Sequence, residues 1–181
     1  DLQVKTIEAW FDRKTDLVLM ADTASGKTEA AFLPILSTLA PDKGAGSVRA
    51  IYVGPLKALI NDQFRRLEDL CKRAEIPVHR WHGDVGVGDK EELLKKPSGV
   101  LLITPESLES LMMRRGREVH RLFERLEAVV IDELHVFLDS ERGRQLSCLL
   151  ARLDEARGGR RARRPGRVRQ GGGQGQHHRE A

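Results

Sequence analysis

Short apolar runs alternate with amphipathic stretches along the first 156 residues of the chain. Leu17-Val18-Leu19-Met20-Ala21 predicts a buried strand leading into a glycine-containing turn. Thr28 to Leu39 predicts a helix, apolar almost all round, in which Pro34 introduces a bend. Ala50 to Val53 reads as a second strand, and Phe64, Leu67, Cys71 and Ala74 mark one face of the helix after it. Ile76 to Trp81 gives a third strand, weakened by Pro77, with Gly99 to Ile103 and Ala128 to Ile131 as the fourth and fifth. Leu146, Leu149, Leu150 and Leu153 carry a helical period to about Ala156. Strands and helices in alternation predict an α/β fold, a parallel sheet flanked by helices.

At residue 157 the pattern stops. Residues 157–181 hold 8 Arg and 7 Gly but only Val168 from the Leu, Ile, Val and Phe group. Such a stretch buries too little apolar surface to offset its ordering entropy, so the expected division is an ordered unit over 1–156 and a disordered Arg/Gly-rich tail over 157–181. The change is what out-of-frame reading of a GC-rich gene produces. It also reassigns the net charge of +4: the tail carries +7, leaving 23 basic and 26 acidic groups, or −3, for the rest. No run of about 18 apolar residues is present, so no membrane partner is expected. No basic-then-apolar leader opens the chain, and Cys71 and Cys148 offer neither a disulfide framework nor metal spacing. These features predict a reducing, cytoplasmic setting.

The chemistry concentrates in two places. Ala21-Asp22-Thr23-Ala24-Ser25-Gly26-Lys27-Thr28 follows an apolar run and opens a helix. Backbone N–H groups of a tight loop at a helix N-terminus cradle phosphates, with Gly26 permitting close approach. Lys27 would reach the β and γ phosphates of ATP, and the Thr28 hydroxyl would hold Mg²⁺. Ala21 stands where the strict phosphate-loop pattern has its first glycine. The second place is Val129-Val130-Ile131-Asp132-Glu133-Leu134-His135, where a strand ends in two acids. Asp132 can enter the Mg²⁺ shell, and Glu133 can polarise a water for in-line attack. Three further βα-like segments separate the two.

Together these residues resemble the first RecA-like domain of superfamily 2 helicases of the DEAD/DEAH-box type, a P-loop NTPase fold. Ala21–Thr28 resembles their motif I, and Asp132-Glu133-Leu134-His135 resembles motif II in its Asp-Glu-x-His form. Between them, Pro55-Leu56-Lys57-Ala58-Leu59-Ile60-Asn61-Asp62-Gln63 resembles motif Ia, Gly83-Asp84 the Gly-Asp turn, and Thr104-Pro105-Glu106-Ser107-Leu108 the Thr-Pro-Glu motif. Thr28 to Leu36, the Pro-Leu-Lys-Ala-Leu segment, the Asp-Glu-Leu-His box and Phe137 to Leu146 resemble the large-helicase-related, or Lhr-like, branch.

The resemblance implies an ATP-dependent helicase or translocase. Its nucleotide contacts would be Gln3, as in a Q-type motif, with Thr23, Ala24, Ser25, Gly26, Lys27 and Thr28. Catalysis would rest on Lys27, Asp132, Glu133 and His135, with Thr28 and Asp132 on Mg²⁺ and His135 coupling the ATP side to the nucleic-acid side. Pro55, Lys57, Gly83, Asp84, Thr104, Pro105 and Glu106 would face nucleic acid, DNA in preference to RNA, gripping its backbone without reading sequence.

Two departures shape the expectation. The family's Ser-Ala-Thr motif belongs near residues 160–170, where this chain reads Arg160-Arg161-Ala162-Arg163-Arg164-Pro165. The second RecA-like domain, which supplies an arginine finger worth about 10³–10⁵ in rate, is not among these residues. The unit is therefore expected to be incomplete on its C-terminal side, with little independent activity. Two other readings remain open: a nucleic-acid-binding module driven by the basic tail, and a helicase remnant without function.

Overall fold

A computed structural model of the chain describes residues 2–12, 16–21, 26–40 and 46–157. Four parallel strands form its centre: β1 (Ala50–Val53), β2 (Val78–Trp81), β3 (Val100–Ile103) and β4 (Ala128–Ile131), side by side in the order β2-β3-β1-β4. Ala50 stands level with Val100 on one side and Ala128 on the other, and Val78 with Val100. Every residue of β1 and β3 is buried, as continuous apolar runs in a sheet covered on both faces require.

The alternation of side chains along the strands separates two cores. Ile51, Val53, Leu101 and Ile103 face a layer built by α5 (Pro105–Arg114), α6 (Gly116–Phe123) and α7 (Glu141–Ala156), through Leu108, Leu111, Phe123, Leu146 and Leu149. Ala50, Tyr52, Val100 and Leu102 face α2 (Lys27–Leu39) and α3 (Lys57–Lys72), through Phe32, Ile35, Leu36, Ile60, Leu67 and Cys71. α2 runs unbroken through Pro34. The remaining helices are α1 (Leu2–Asp12), tied to α2 by the Trp10 indole N–H on the Thr38 hydroxyl at 3.1 Å, and α4 (Val87–Lys95), which delivers Leu93 and Leu94 to the first core. The result is a RecA-like α/β layer arrangement.

One expected element does not form. Residues 17–21 have no ladder partner and are not a strand; Val18 is 70% and Met20 85% exposed. Apolar character alone does not make a strand, because a strand exists only through the hydrogen bonds of a neighbour. The outer edge of β4 is unpaired among the described residues, and Val129, Val130 and Ile131 are only partly buried. The expected break at 157 and the tail that follows fall, beyond Arg157, outside the described residues.

Close packing between the turn after β4 and α7 depends on Gly143. A Cβ there would lie 1.8 Å from the Phe137 carbonyl oxygen, a distance no pair of atoms tolerates. Gly143→Ala must push α7 from this turn, and overpacking of this kind costs roughly 1–3 kcal/mol. Urea titration of wild type and variant should show the lower midpoint; equal midpoints would mean that the turn yields freely.

Candidate nucleotide site and its nucleic-acid-facing edge

Parallel strands present their C-terminal ends along one edge of the sheet. Pro55, Gly83, Thr104 and Asp132 come after the ends of β1, β2, β3 and β4, whereas α2 follows no strand among the described residues. α2 begins at Lys27 behind Gly26, whose φ of +79° lies in the left-handed region. That backbone conformation favours glycine, and a Cβ there would meet the Gln3 Nε2 at 2.7 Å, the end of a side chain that can swing aside. Gln3 thus lies against the start of the phosphate-loop helix. The Lys27 ammonium donates to the Ala21 carbonyl at 2.6 Å, and the Thr28 hydroxyl donates to the Gln63 Oε1 at 3.1 Å. Thr23, Ala24 and Ser25 lie outside the described residues.

Asp132 follows β4, its backbone N–H bonded to the Val53 carbonyl at 2.9 Å. One carboxylate oxygen accepts the Tyr52 hydroxyl and the other accepts the Glu133 N–H, the latter at 2.9 Å. Burial first, then the Asp132 carboxylate, raises the Tyr52 pKa far above its ordinary value, so the phenol remains a donor. Glu133 adopts φ +50°, an uncommon conformation for a residue with a Cβ, and its carboxylate stands 3.2 Å from the His135 Nδ1. Both side chains of that pair are largely exposed, at 44% for Glu133 and 73% for His135. The donor chemistry fits a hard cation: the Thr28 hydroxyl and the Asp132 carboxylate are the kind of oxygen ligands Mg²⁺ prefers.

The residues expected to face nucleic acid are gathered along the same edge, but several are engaged with one another. Pro55 is buried while Lys57 is exposed, and the Lys57 ammonium holds the Asp84 carboxylate at 2.9 Å across from Gly83. That hydrogen bond, with the charge behind it, lowers the Asp84 pKa. Thr104 is the buried N-cap of α5, accepting the Ser107 N–H at 3.3 Å, with Pro105 in the first helical position. Glu106 pairs with Arg142 at 2.7 Å, and Arg142 also donates to the Pro55 carbonyl at 2.9 Å. Trp81 packs on the first core.

Four residues outside the recognised roles hold this arrangement together: Tyr52, Asn61, Gln63 and Arg142. The Asn61 Oδ1 accepts from Arg80 at 2.8 Å and meets the His82 Nε2 at 3.1 Å. His82 is 3% exposed, and its Nδ1 accepts the Asp84 N–H at 3.3 Å, which fixes the neutral ring with its proton on Nε2.

Burial lowers the pKa of both His82 and His79 below the ordinary 6.5. Above pH 6.5 both rings are neutral folded or unfolded, and the stability is fully present. As pH falls below 6.5 the unfolded chain takes up protons that the native rings resist, so stability declines until the native rings also titrate. Melting curves between pH 7.5 and 5.5 should show this decline, and His82→Gln should flatten it. An unchanged slope in the variant would remove His82 as a source.

The family described as DEAD/DEAH box helicase matches residues 1–166. The ATP-dependent helicase Lhr-Core of Methanothermobacter thermautotrophicus is 35% identical over 156 residues, covering 78% of this chain and 18% of the relative. The Lhr helicase/uracil glycosylase of Escherichia coli is 33% identical over 162 residues, covering 78% of this chain and 10% of that protein. Among solved structures, Mycobacterium smegmatis helicase Lhr bound to ssDNA and AMP-PNP superposes with a TM-score of 0.71 at 30% identity, over 86% of this chain and 21% of that one. The chain therefore spans less than a fifth of the length of these two curated relatives. With glycine, lysine and threonine at the start of α2, the Asp-Glu-Leu-His turn after β4 and these similarities along most of its length, the chain belongs to the DEAD/DEAH box helicase family.

Proposed function

We propose that this chain is the Mg-ATP-binding part of an Lhr-type helicase motor that works on DNA in preference to RNA. The observations that support this reading are the left-handed Gly26 from which Lys27 and Thr28 open α2, and the Asp132-Glu133 pair directly after β4. The DNA preference draws support from the ssDNA of the Lhr structure and the DNA of the helicase MrfA bound to DNA and AMPPNP.

Each residue then has a defined task. Lys27 exchanges its carbonyl partner for a phosphate oxygen, and α2 presents its N-terminal N–H groups to the same anion. Thr28 and Asp132 would hold Mg²⁺, which supplies charge neutralisation at the phosphates. The Glu133 carboxylate accepts the proton of the attacking water, and the neighbouring His135 imidazole is placed to exchange a proton with it. Lys57 and the backbone around Gly83 grip the nucleic-acid backbone once a phosphate displaces Asp84 from the lysine.

A fluorescent ATP analogue titrated into the full chain should bind at one saturable site that unlabelled ATP empties. Glu133→Gln should retain that binding and lose the slow phosphate release of the wild type. Absence of saturable, competable binding would overturn the proposal.

A further inference from the structure

We propose that Tyr52 and Gln63 are positioning residues for the cation-binding pair: Tyr52 aims the Asp132 carboxylate and Gln63 aims the Thr28 hydroxyl. This rests on the reading of the site as a Mg-nucleotide site, and extends it to two side chains outside the phosphate loop and the Asp-Glu-Leu-His turn.

Gln63 interrupts an apolar stripe. It shares the buried face of α3 with Ile60, Leu67 and Cys71 and is 8% exposed, so its amide needs a partner there. It accepts the Thr28 hydroxyl proton. The direction of that bond matters. A hydroxyl that donates its only proton to Gln63 turns its lone pairs elsewhere, leaving them free for a cation. Without the acceptor the proton is free to rotate toward the cation and oppose it.

Tyr52 performs the matching task from β1. It is 2% exposed, its ring is packed against Phe32 of α2 at a centroid distance of 6.2 Å, and its hydroxyl donates to Asp132. With the Glu133 N–H on the other oxygen, the carboxylate is held at both ends and cannot rotate about its bond, while each oxygen keeps a free lone pair. The two supports belong to one unit. β1 carries Tyr52, α3 carries Gln63, and Pro55 and Lys57 lie where the strand turns into the helix. Partners that orient metal ligands are worth about 10–100-fold in metal affinity.

The test measures binding of N-methylanthraniloyl-ADP to the full chain, first in EDTA and then over a Mg²⁺ titration, with a melting curve on each sample. Tyr52→Phe and Gln63→Leu should each raise the Mg²⁺ concentration for half-maximal tightening by roughly tenfold or more. Affinity in EDTA should stay within about twofold of wild type, because Tyr52 and Gln63 lie on β1 and α3, outside the phosphate loop. Gln63→Glu keeps an acceptor for the Thr28 proton and should restore the Mg²⁺ dependence. Should Tyr52→Phe fail to fold, the Gln63 pair of variants decides. A Mg²⁺ dependence equal to wild type overturns the proposal, as does a loss in EDTA that tracks a lowered melting midpoint, since that is what mere packing produces. Wild-type protein that binds no nucleotide would instead sink the reading of the site itself.

Discussion

Replacing Lys27 by alanine weakens ATP binding by at least about tenfold, the loss expected for a charge-assisted hydrogen bond to a phosphate. The ammonium donates to the Ala21 carbonyl at 2.6 Å, and a phosphate oxygen would offer it an anionic acceptor. Because the lost partner is a phosphate oxygen, the penalty should fall on ATP and ADP and spare adenosine. Calorimetric titration of all three ligands separates a phosphate contact from general damage to the fold. Equal weakening for adenosine, or unchanged affinity for ATP, would contradict the assignment.

The second large effect concerns nucleic acid and salt. The tail from 157 to 181 carries +7, whereas the remaining residues carry −3. Neutralising phosphates with arginines releases counterions, so affinity falls steeply with salt; about six contacts imply a loss of roughly 10³ between 50 and 200 mM. Removing residues 157–181 should abolish most of this binding and its salt slope. Lys57→Ala should matter little, since Lys57 is already neutralised by Asp84 at 2.9 Å and a nucleic-acid phosphate must compete with that carboxylate. A labelled oligonucleotide titrated with both lengths of chain at several salt concentrations decides it. If the truncated chain binds as tightly with the same slope, the sheet edge itself grips nucleic acid.

Legibility in the sequence followed the physics of each element. β1, β3 and β4 were readable because a covered parallel strand is a continuous apolar run, and Ala128–Ile131 matches to the residue. β2 starts at Val78 instead of Ile76, whose N–H still closes the end of α3 on the Cys71 carbonyl. The run at 17–21 misled because it is as apolar as β1 but lacks a ladder partner. α4 escaped notice because only Leu93 and Leu94 of its residues are buried. In the site, the lysine, the threonine and the two acids stood out because their spacing carries their chemistry. Tyr52 and Gln63 did not, although each left a trace. A tyrosine inside a buried strand needs a partner for its hydroxyl, and a glutamine on an apolar helical stripe needs one for its amide. Which partner each finds depends on the order of the strands, and no local pattern encodes that.

The left-handed backbone of Glu133 sets folding and turnover against each other at a single position. At φ +50° a glutamate side chain carries a penalty on the order of 1 kcal/mol or more that asparagine, which tolerates this region, would relieve. Glu133→Asn should therefore melt higher than the wild type while losing the carboxylate proposed above to take the proton from water. A library of this protein sorted for thermal resistance alone should accumulate asparagine or glycine at 133, and one sorted for ATP turnover should purge both. On the role proposed for Glu133, selection for durability, left unopposed, would erase the carboxylate that turnover requires.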